Sequence, residues 1–166
     1  MQTIRTLTLI VATLTSGLLA GVYYAYATSV MPALNQVDNR AAVDVMQRIN
    51  SVIVNPMFML TFLGAPLATV GAVALVLGKD TRSLLAWVAA AAVLNIVATI
   101  ITIALNVPLN DQLDAVGDPS RLGDPAAAWA DFYSSWVNWN IVRAVAHTAA
   151  FGTLAWALVL LGRKSV

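Results

Sequence analysis

Polar and charged residues fall in a few short clusters along the chain, and four long apolar stretches run between them. The first, 6–37, lies between Arg5 and Asp38; the second, 49–78, between Arg48 and Lys79; the third, 83–110, between Arg82 and Asp111. The fourth, 132–162, carries a single charge, Arg143. A helix of about 20 apolar residues crosses the hydrocarbon of a bilayer, and every stretch exceeds that. Spans are expected near 6–30, 54–77, 83–106 and 138–161. The pattern predicts an all-α membrane protein, with one domain over residues 1–166 built as a four-transmembrane-helix bundle.

Two connecting segments have patterns of their own. Residues 38–50 read as a short amphipathic helix after the first span, with Ala42, Val45, Met46 and Ile49 on one face and an Asp44–Arg48 pair at i,i+4 on another. Asp38 or Asn39 is placed to cap it, and the apolar face is expected to lie on the membrane surface. Asp124-Pro125 reads as an N-cap followed by proline at the first helical position. Nothing interrupts the helical pattern from there to Leu161. That is about 55 Å of helix against about 30 Å of hydrocarbon, so the fourth helix is expected to extend beyond the membrane on the outer side. Ala25-Tyr26-Ala27 fits a signal-peptidase pattern, but the long apolar run and bulky Tyr23 and Tyr24 favour a retained first span.

Composition narrows the class further. The 166 residues are 60% hydrophobic and only 10% charged, where a soluble domain carries about 25%. A net charge of +1 speaks against nucleic acid as a partner. With no cysteine in the chain, disulfide exchange, thiolate catalysis and thiolate metal centres are excluded. Charge also orients the bundle. Arg5, Lys79, Arg82, Arg163 and Lys164 share one side with a single acid, Asp80, while Arg40, Arg48 and Arg121 share the other with the remaining aspartates. The positive-inside rule places the basic side, with both termini, in the cytoplasm of a multi-pass cell-membrane protein.

Candidate chemistry gathers at the outer ends of the spans. Gly17 and Gly21 in the first span, and Gly64, Ala68 and Gly71 in the second, are read as close helix–helix contacts. Asn95, Thr99, Thr102 and Asn106 form a polar stripe on the third span, spaced by four, three and four residues. It serves either interhelical hydrogen bonding or a site. Asn140, Arg143 and His147 share one face of the fourth span, with Trp136 and Trp139 above them at interface depth, where an aromatic belt is expected. Arg143 lies about one turn inside the membrane and needs a partner: an outer-loop aspartate such as Asp111, an amide or carbonyl, or an anionic ligand. His147, the lone histidine in a chain without glutamate, makes a poor metal site. It serves either as a bond between helices or as a base near neutral pH. Tyr24, Asn50, Asn55 and Asn110 lie at the same depth. An outward-opening pocket with apolar walls and a few fixed polar groups follows.

Met31-Pro32-Ala33-Leu34, Met46-Gln47-Arg48-Ile49-Asn50, Asn55-Pro56-x-Phe58, Asn106-Val107-Pro108-Leu109-Asn110 and Trp136-x-x-Trp139-Asn140-x-x-Arg143 occur in that order. In this the chain resembles the anthrone oxygenase-like family of small integral membrane proteins, mostly of unknown function. The resemblance implies a cofactor-independent oxygenase that acts on an anthrone or quinol-like aromatic. A base would remove a ring proton, the carbanion would react with O₂, and donors would stabilise the enolate. His147, Arg143 and Asn140 are the candidate catalytic residues. Asn50, Asn55, Asn106, Asn110, Tyr24 and Trp139 are the candidate substrate contacts. No metal or other cofactor is expected. Many members carry a histidine after Trp-Asn where this chain has Ile141, which leaves His147 or an ordered water as the base. A competing reading is a non-catalytic accessory subunit or a lipid- or quinone-binding protein, with membrane-protein partners or a second copy of the chain. A transporter is a third, without the usual internal repeat.

Overall fold

The computed structural model describes residues 2–163. Among them there is no strand; they form five helices and a short 3-10 turn at Pro119–Arg121. Four are long and apolar enough to cross a membrane: α1 (Gln2–Leu34), α3 (Pro56–Leu75), α4 (Lys79–Ala115) and α5 (Pro125–Arg163). Helix α2 (Asn39–Ile53) links the first two spans. The chain is thus an all-α bundle of the multi-pass membrane class.

Helix starts occur where the capping chemistry lies. Asp38 accepts from the backbone N–H of Arg40 and Ala41. Asn55 accepts from Phe58 N–H, with Pro56 at the first helical position. Asp124 accepts from Ala127 N–H at 2.9 Å, immediately before Pro125. Each cap satisfies donors that have no partner inside the helix. From Pro125, α5 continues unbroken to Arg163, as the sequence pattern predicts.

The four spans form a closed ring in which α1 packs on α5 and α3, and α4 packs on the same two helices. Arg5 Nε donates to the carbonyl of Leu75 at 3.0 Å, and Val76 and Leu161 share one core cluster. The starts of α1 and α4 and the ends of α3 and α5 therefore lie at the same end of the bundle. Lys164, assigned to that basic side, lies outside the described residues. The lower core is rich in fully buried alanine, including Ala12, Ala72, Ala91, Ala150 and Ala157, which lets the helices approach closely. Gly64 and Gly71 face Thr15 and Thr8 of α1, and a Cβ on Gly17 would lie 2.9 Å from the Phe151 ring. Gly21 meets nothing within 4 Å, so only the first glycine of its pair serves a contact inside this chain. Large apolar side chains such as Leu14, Leu60, Leu67, Val93 and Ile100 point outward, as lipid-facing residues do.

The upper end has a second core, formed by Met31, Ala42, Val43, Met46, Leu113 and the Trp129–Phe132–Trp136 run. Here the structure corrects the sequence reading of α2. Its buried residues are Ala42, Val43 and Met46, while Val45 is 40% exposed. The helix packs on the N-terminal part of α5 and on the end of α4. Gln47 Nε2 donates to the carbonyls of Leu113 and Gly117, and Arg40 donates to those of Pro119 and Leu122.

Two turns of π-helix interrupt the spans, Tyr26–Val30 in α1 and Thr102–Asn106 in α4. Each is followed by one residue and then a proline, Pro32 or Pro108. Proline lacks an N–H and crowds the carbonyl four residues back, which here is Thr28 or Ala104, inside the π turn. The wider turn closes through bonds from Met31 N–H to Tyr26 O and from Val107 N–H to Thr102 O. The helices continue past the prolines, and their faces rotate at the level of the candidate site.

Candidate functional site

A cavity of about 480 Å³ opens at the end of the bundle away from the start of α1 and the end of α5, where all five helices meet. Its walls are apolar, with Val22, Ile53, Phe58, Phe62, Ile103 and Val107 among them, and its polar groups are Tyr23, Asn50, Thr102, Asn110, Asp111, Asp114 and Arg143. Tyr26 and Trp136 complete the aromatic side. The size and the balance of surfaces suit a small organic ligand held by a few polar contacts.

Arg143 forms the floor and is 3% exposed. Nη2 donates to Asn140 Oδ1 at 3.1 Å and Nη1 to Thr102 Oγ1 at 3.3 Å. The guanidinium also lies over two rings, 4.3 Å from the Tyr23 centroid and 5.4 Å from that of Trp136. Among the described residues no carboxylate comes within ion-pair distance of it. Amide, hydroxyl and ring faces hold the charge, and the outer-loop aspartates do not. This environment compensates a buried cation only in part, and Nε has no partner.

Arg143 belongs to a larger framework. Asn140 Nδ2 donates to the carbonyl of Tyr23 at 2.9 Å, Asn106 Nδ2 to that of Trp136 at 3.2 Å, and Trp136 Nε1 to Asn110 Oδ1 at 2.8 Å. These bonds tie α1, α4 and α5 together around the floor. Three groups on the cavity wall remain unpartnered although buried: Tyr23 Oη, Asn50 Nδ2 and Arg143 Nε. All three can donate, and they come from three different helices. Unpaired buried donors are rare in folded proteins; here Tyr23 lies against Arg143 and Thr102, and Asn50 lies beside Asp114.

His147 lies one layer below. Its ring stacks on Tyr23 with centroids 5.4 Å apart, and it does not line the cavity. Its Nδ1 meets Asn95 Oδ1 at 2.9 Å, while Asn95 Nδ2 faces Ser16 Oγ and Thr69 Oγ1, both at 2.9 Å. Those two hydroxyls spend their only hydrogens on the carbonyls of Ala12 and Ala65, so they can only accept. Asn95 must turn its NH₂ toward them and its oxygen toward His147. The proton of neutral His147 therefore sits on Nδ1, which leaves Nε2 a bare acceptor. The histidine belongs to a buried knot joining α1, α3, α4 and α5, behind the cavity wall.

The structure brings Asn106, Asn110, Asn140 and Arg143 into one framework and sets Asn50 on the wall beside Asp114. Three expected contacts lie elsewhere. Tyr24 is 62% exposed and Trp139 is 38% exposed, and Asn55 serves as the N-cap of α3. Their neighbours face inward instead: Tyr23 and Trp136 are 5% exposed each. The aromatic-belt reading of Trp136 is corrected accordingly, because its indole N–H finds Asn110 inside the protein. Ile141 is 44% exposed and points away from the site. Asp111, expected from sequence as a partner for Arg143, lines the cavity wall instead, and Asp114 joins it there. The last turns of α4 carry both, and the i,i+4 spacing of Asp114 from Asn110 is the sequence signal that sets it on the same face.

No curated protein and no solved structure matches the chain. The sequence profile described as anthrone oxygenase matches residues 56–153, more than half of its length. The matched region contains Thr102, Asn106, Asn110, Asn140 and Arg143, most of the polar framework described above. This chain belongs to the anthrone oxygenase family.

Proposed function

We propose that the cavity binds a flat aromatic ketone of the anthrone type and that the protein oxygenates it without a bound cofactor. The observation that carries this reading is the buried guanidinium of Arg143, with no carboxylate partner among the described residues, beside Tyr23 on the wall of an apolar cavity. A guanidinium and a phenol from two helices beside one apolar space suit an oxygen that gains negative charge, and the guanidinium favours the enolate over the ketone. The apolar walls accept the rings.

The chemistry balances with dioxygen as the only co-reactant. Loss of a ring proton leaves the electron pair on the ring as an enolate. Dioxygen takes an electron from it and couples at the same carbon, so a C–O bond forms and the peroxide is protonated. Loss of the second proton from that carbon breaks the O–O bond and expels water, which leaves the quinone carbonyl. One oxygen atom enters the product and one leaves in water.

A purely structural subunit would pair its arginine fully and fill the space beside it with side chains. An open cavity and an unpaired Nε favour ligand binding over that role. With the basic loops held in the cytoplasm, the cavity opens toward the outer face. The test is O₂ uptake by the purified protein in nanodiscs with an anthrone, before and after chelation. The expected result is one O₂ consumed per quinone formed, above the spontaneous rate and insensitive to chelator. A rate no higher than that of empty nanodiscs, with any anthrone or related quinol, would assign the protein to the binding or accessory class.

A further inference from the structure

The reaction proposed above needs a proton acceptor at the cavity, and His147 lies behind the wall with its Nδ1 committed to Asn95. The other acceptors on the wall are already used. Asn110 Oδ1 takes the Trp136 indole proton, and Thr102 Oγ1 receives Arg143 while giving its hydrogen to Ala98. Two carboxylates remain, Asp111 and Asp114, both on the cavity wall. They stand three residues apart on α4 and so share a helix face. Among the described residues neither forms an ion pair. Asn50 and Asp111 are both neighbours of the Asp114 carboxylate.

Resting on that reading, we propose that Asp114 is the proton acceptor, with Asp111 beside it and Asn50 orienting it across the cavity from Arg143. The acidic pair does not stand alone. Arg143, 3% exposed and without a carboxylate partner among the described residues, lines the same cavity with Tyr23 against it. The space thus has a donor end that holds an oxygen and a carboxylate end that holds a proton. A ring ketone whose acidic carbon lies opposite its carbonyl fits both ends at once. In the step, the C–H bond breaks, its electron pair moves into the ring toward the oxygen at Arg143, and the proton passes to a carboxylate oxygen of Asp114. The same carboxyl returns that proton to the peroxide, takes the second ring proton, and gives it to the departing hydroxide. Because Asp114 is exposed, it can also exchange protons with water between turnovers.

The experiment separates this proposal from the oxygenase reading by leaving out dioxygen. Anthrone is incubated anaerobically in D₂O with the protein in nanodiscs, and deuterium uptake at the acidic ring carbon is followed by mass spectrometry. Wild type should accelerate uptake over empty nanodiscs. Asp114→Asn should lower that acceleration by roughly a hundredfold, within the usual range for a general base. Asp114→Glu should restore part of it, and Asp44→Asn, an exposed charge control, should leave it unchanged. Binding is read in parallel as quenching of tryptophan fluorescence by anthraquinone, which Asp114→Asn should retain. Exchange in wild type without O₂ uptake in air would uphold the base and overturn the oxygenase. Three outcomes would overturn the base itself: no exchange by wild type, full exchange by Asp114→Asn, or loss of anthraquinone binding in that variant.

Discussion

Replacing Arg143 with glutamine separates the guanidinium's contribution to the fold from its contribution to chemistry. In the resting protein it makes two hydrogen bonds, to Asn140 and Thr102, and lies over two rings. The Thr102 bond joins two helices, and such bonds in membranes average about 0.6 kcal/mol, with at most a similar contribution from the Asn140 bond within α5; a cation over a ring contributes about 0.5–2 kcal/mol. The loss is therefore about 2–5 kcal/mol. Removing a buried, unneutralised cation also relieves a desolvation cost of several kcal/mol. The two nearly cancel, so the predicted change in stability is within about 2 kcal/mol either way, or a few degrees in Tm. Thr102 loses little, since its hydrogen already serves Ala98. The rate should respond differently, because the charge matters most when the ring oxygen becomes an enolate. Losing one preorganised oxyanion donor costs about 10²–10³ in kcat. The assay is quinone formation followed by absorbance, beside thermal unfolding in the same detergent. A Tm within a few degrees of wild type, with kcat down at least a hundredfold and KM little changed, is the expected outcome. A variant that keeps more than a tenth of the wild-type kcat would refute the oxyanion role. One that melts far below wild type would show that the guanidinium chiefly holds the helices.

Other expectations follow from specific contacts. Asn95→Leu removes the side chain that joins Ser16, Thr69 and His147; it should destabilise the bundle by about 2 kcal/mol, seen as a lower Tm, and His147→Leu in the same chain should recover part of that loss. Recovery is expected because the histidine N–H would no longer be stranded; a neutral Asn95→Leu would show the network to be ornamental to folding. Gly17→Ala places a Cβ 2.9 Å from the Phe151 ring and should cost about 1–3 kcal/mol by overpacking, whereas Gly21→Ala, with nothing within 4 Å, should unfold like wild type. Equal melting of the two variants would contradict the packing described. Because the chain has no cysteine, single substitutions report topology directly: an impermeant maleimide should label Ser120→Cys on intact cells and leave Lys79→Cys unlabelled, and the reverse pattern would invert the orientation.

Sequence by itself determines the parts of this protein that depend on local chemistry. Runs of apolar residues bounded by charge specify four spans, since hydrocarbon tolerates only internally bonded backbone. Asp38, Asn55-Pro56 and Asp124-Pro125 specify helix starts, because orphan backbone donors there find a side-chain oxygen at once. The spacing of Asn140, Arg143 and His147 puts them on one face of an uninterrupted helix, and the structure keeps them there. What tertiary structure alone decided is which neighbour of each pair turns inward. Tyr23 is buried and Tyr24 exposed, Trp136 is buried and Trp139 exposed, and Asp111 and Asp114 reach the cavity from beyond a π turn. Within one α-helix, a change of one residue swings a side chain by about 100°, and a π turn adds such a change to everything beyond it. The prolines at 32 and 108 marked where this happens, but not that the helix would absorb them by widening. The covering of α5 by α2 likewise depended on an aromatic surface assembled from residues far apart in the chain. Periodicity fixes the faces within a helix, whereas the register between helices, and so the site they enclose, is set by packing at distances the local pattern does not record.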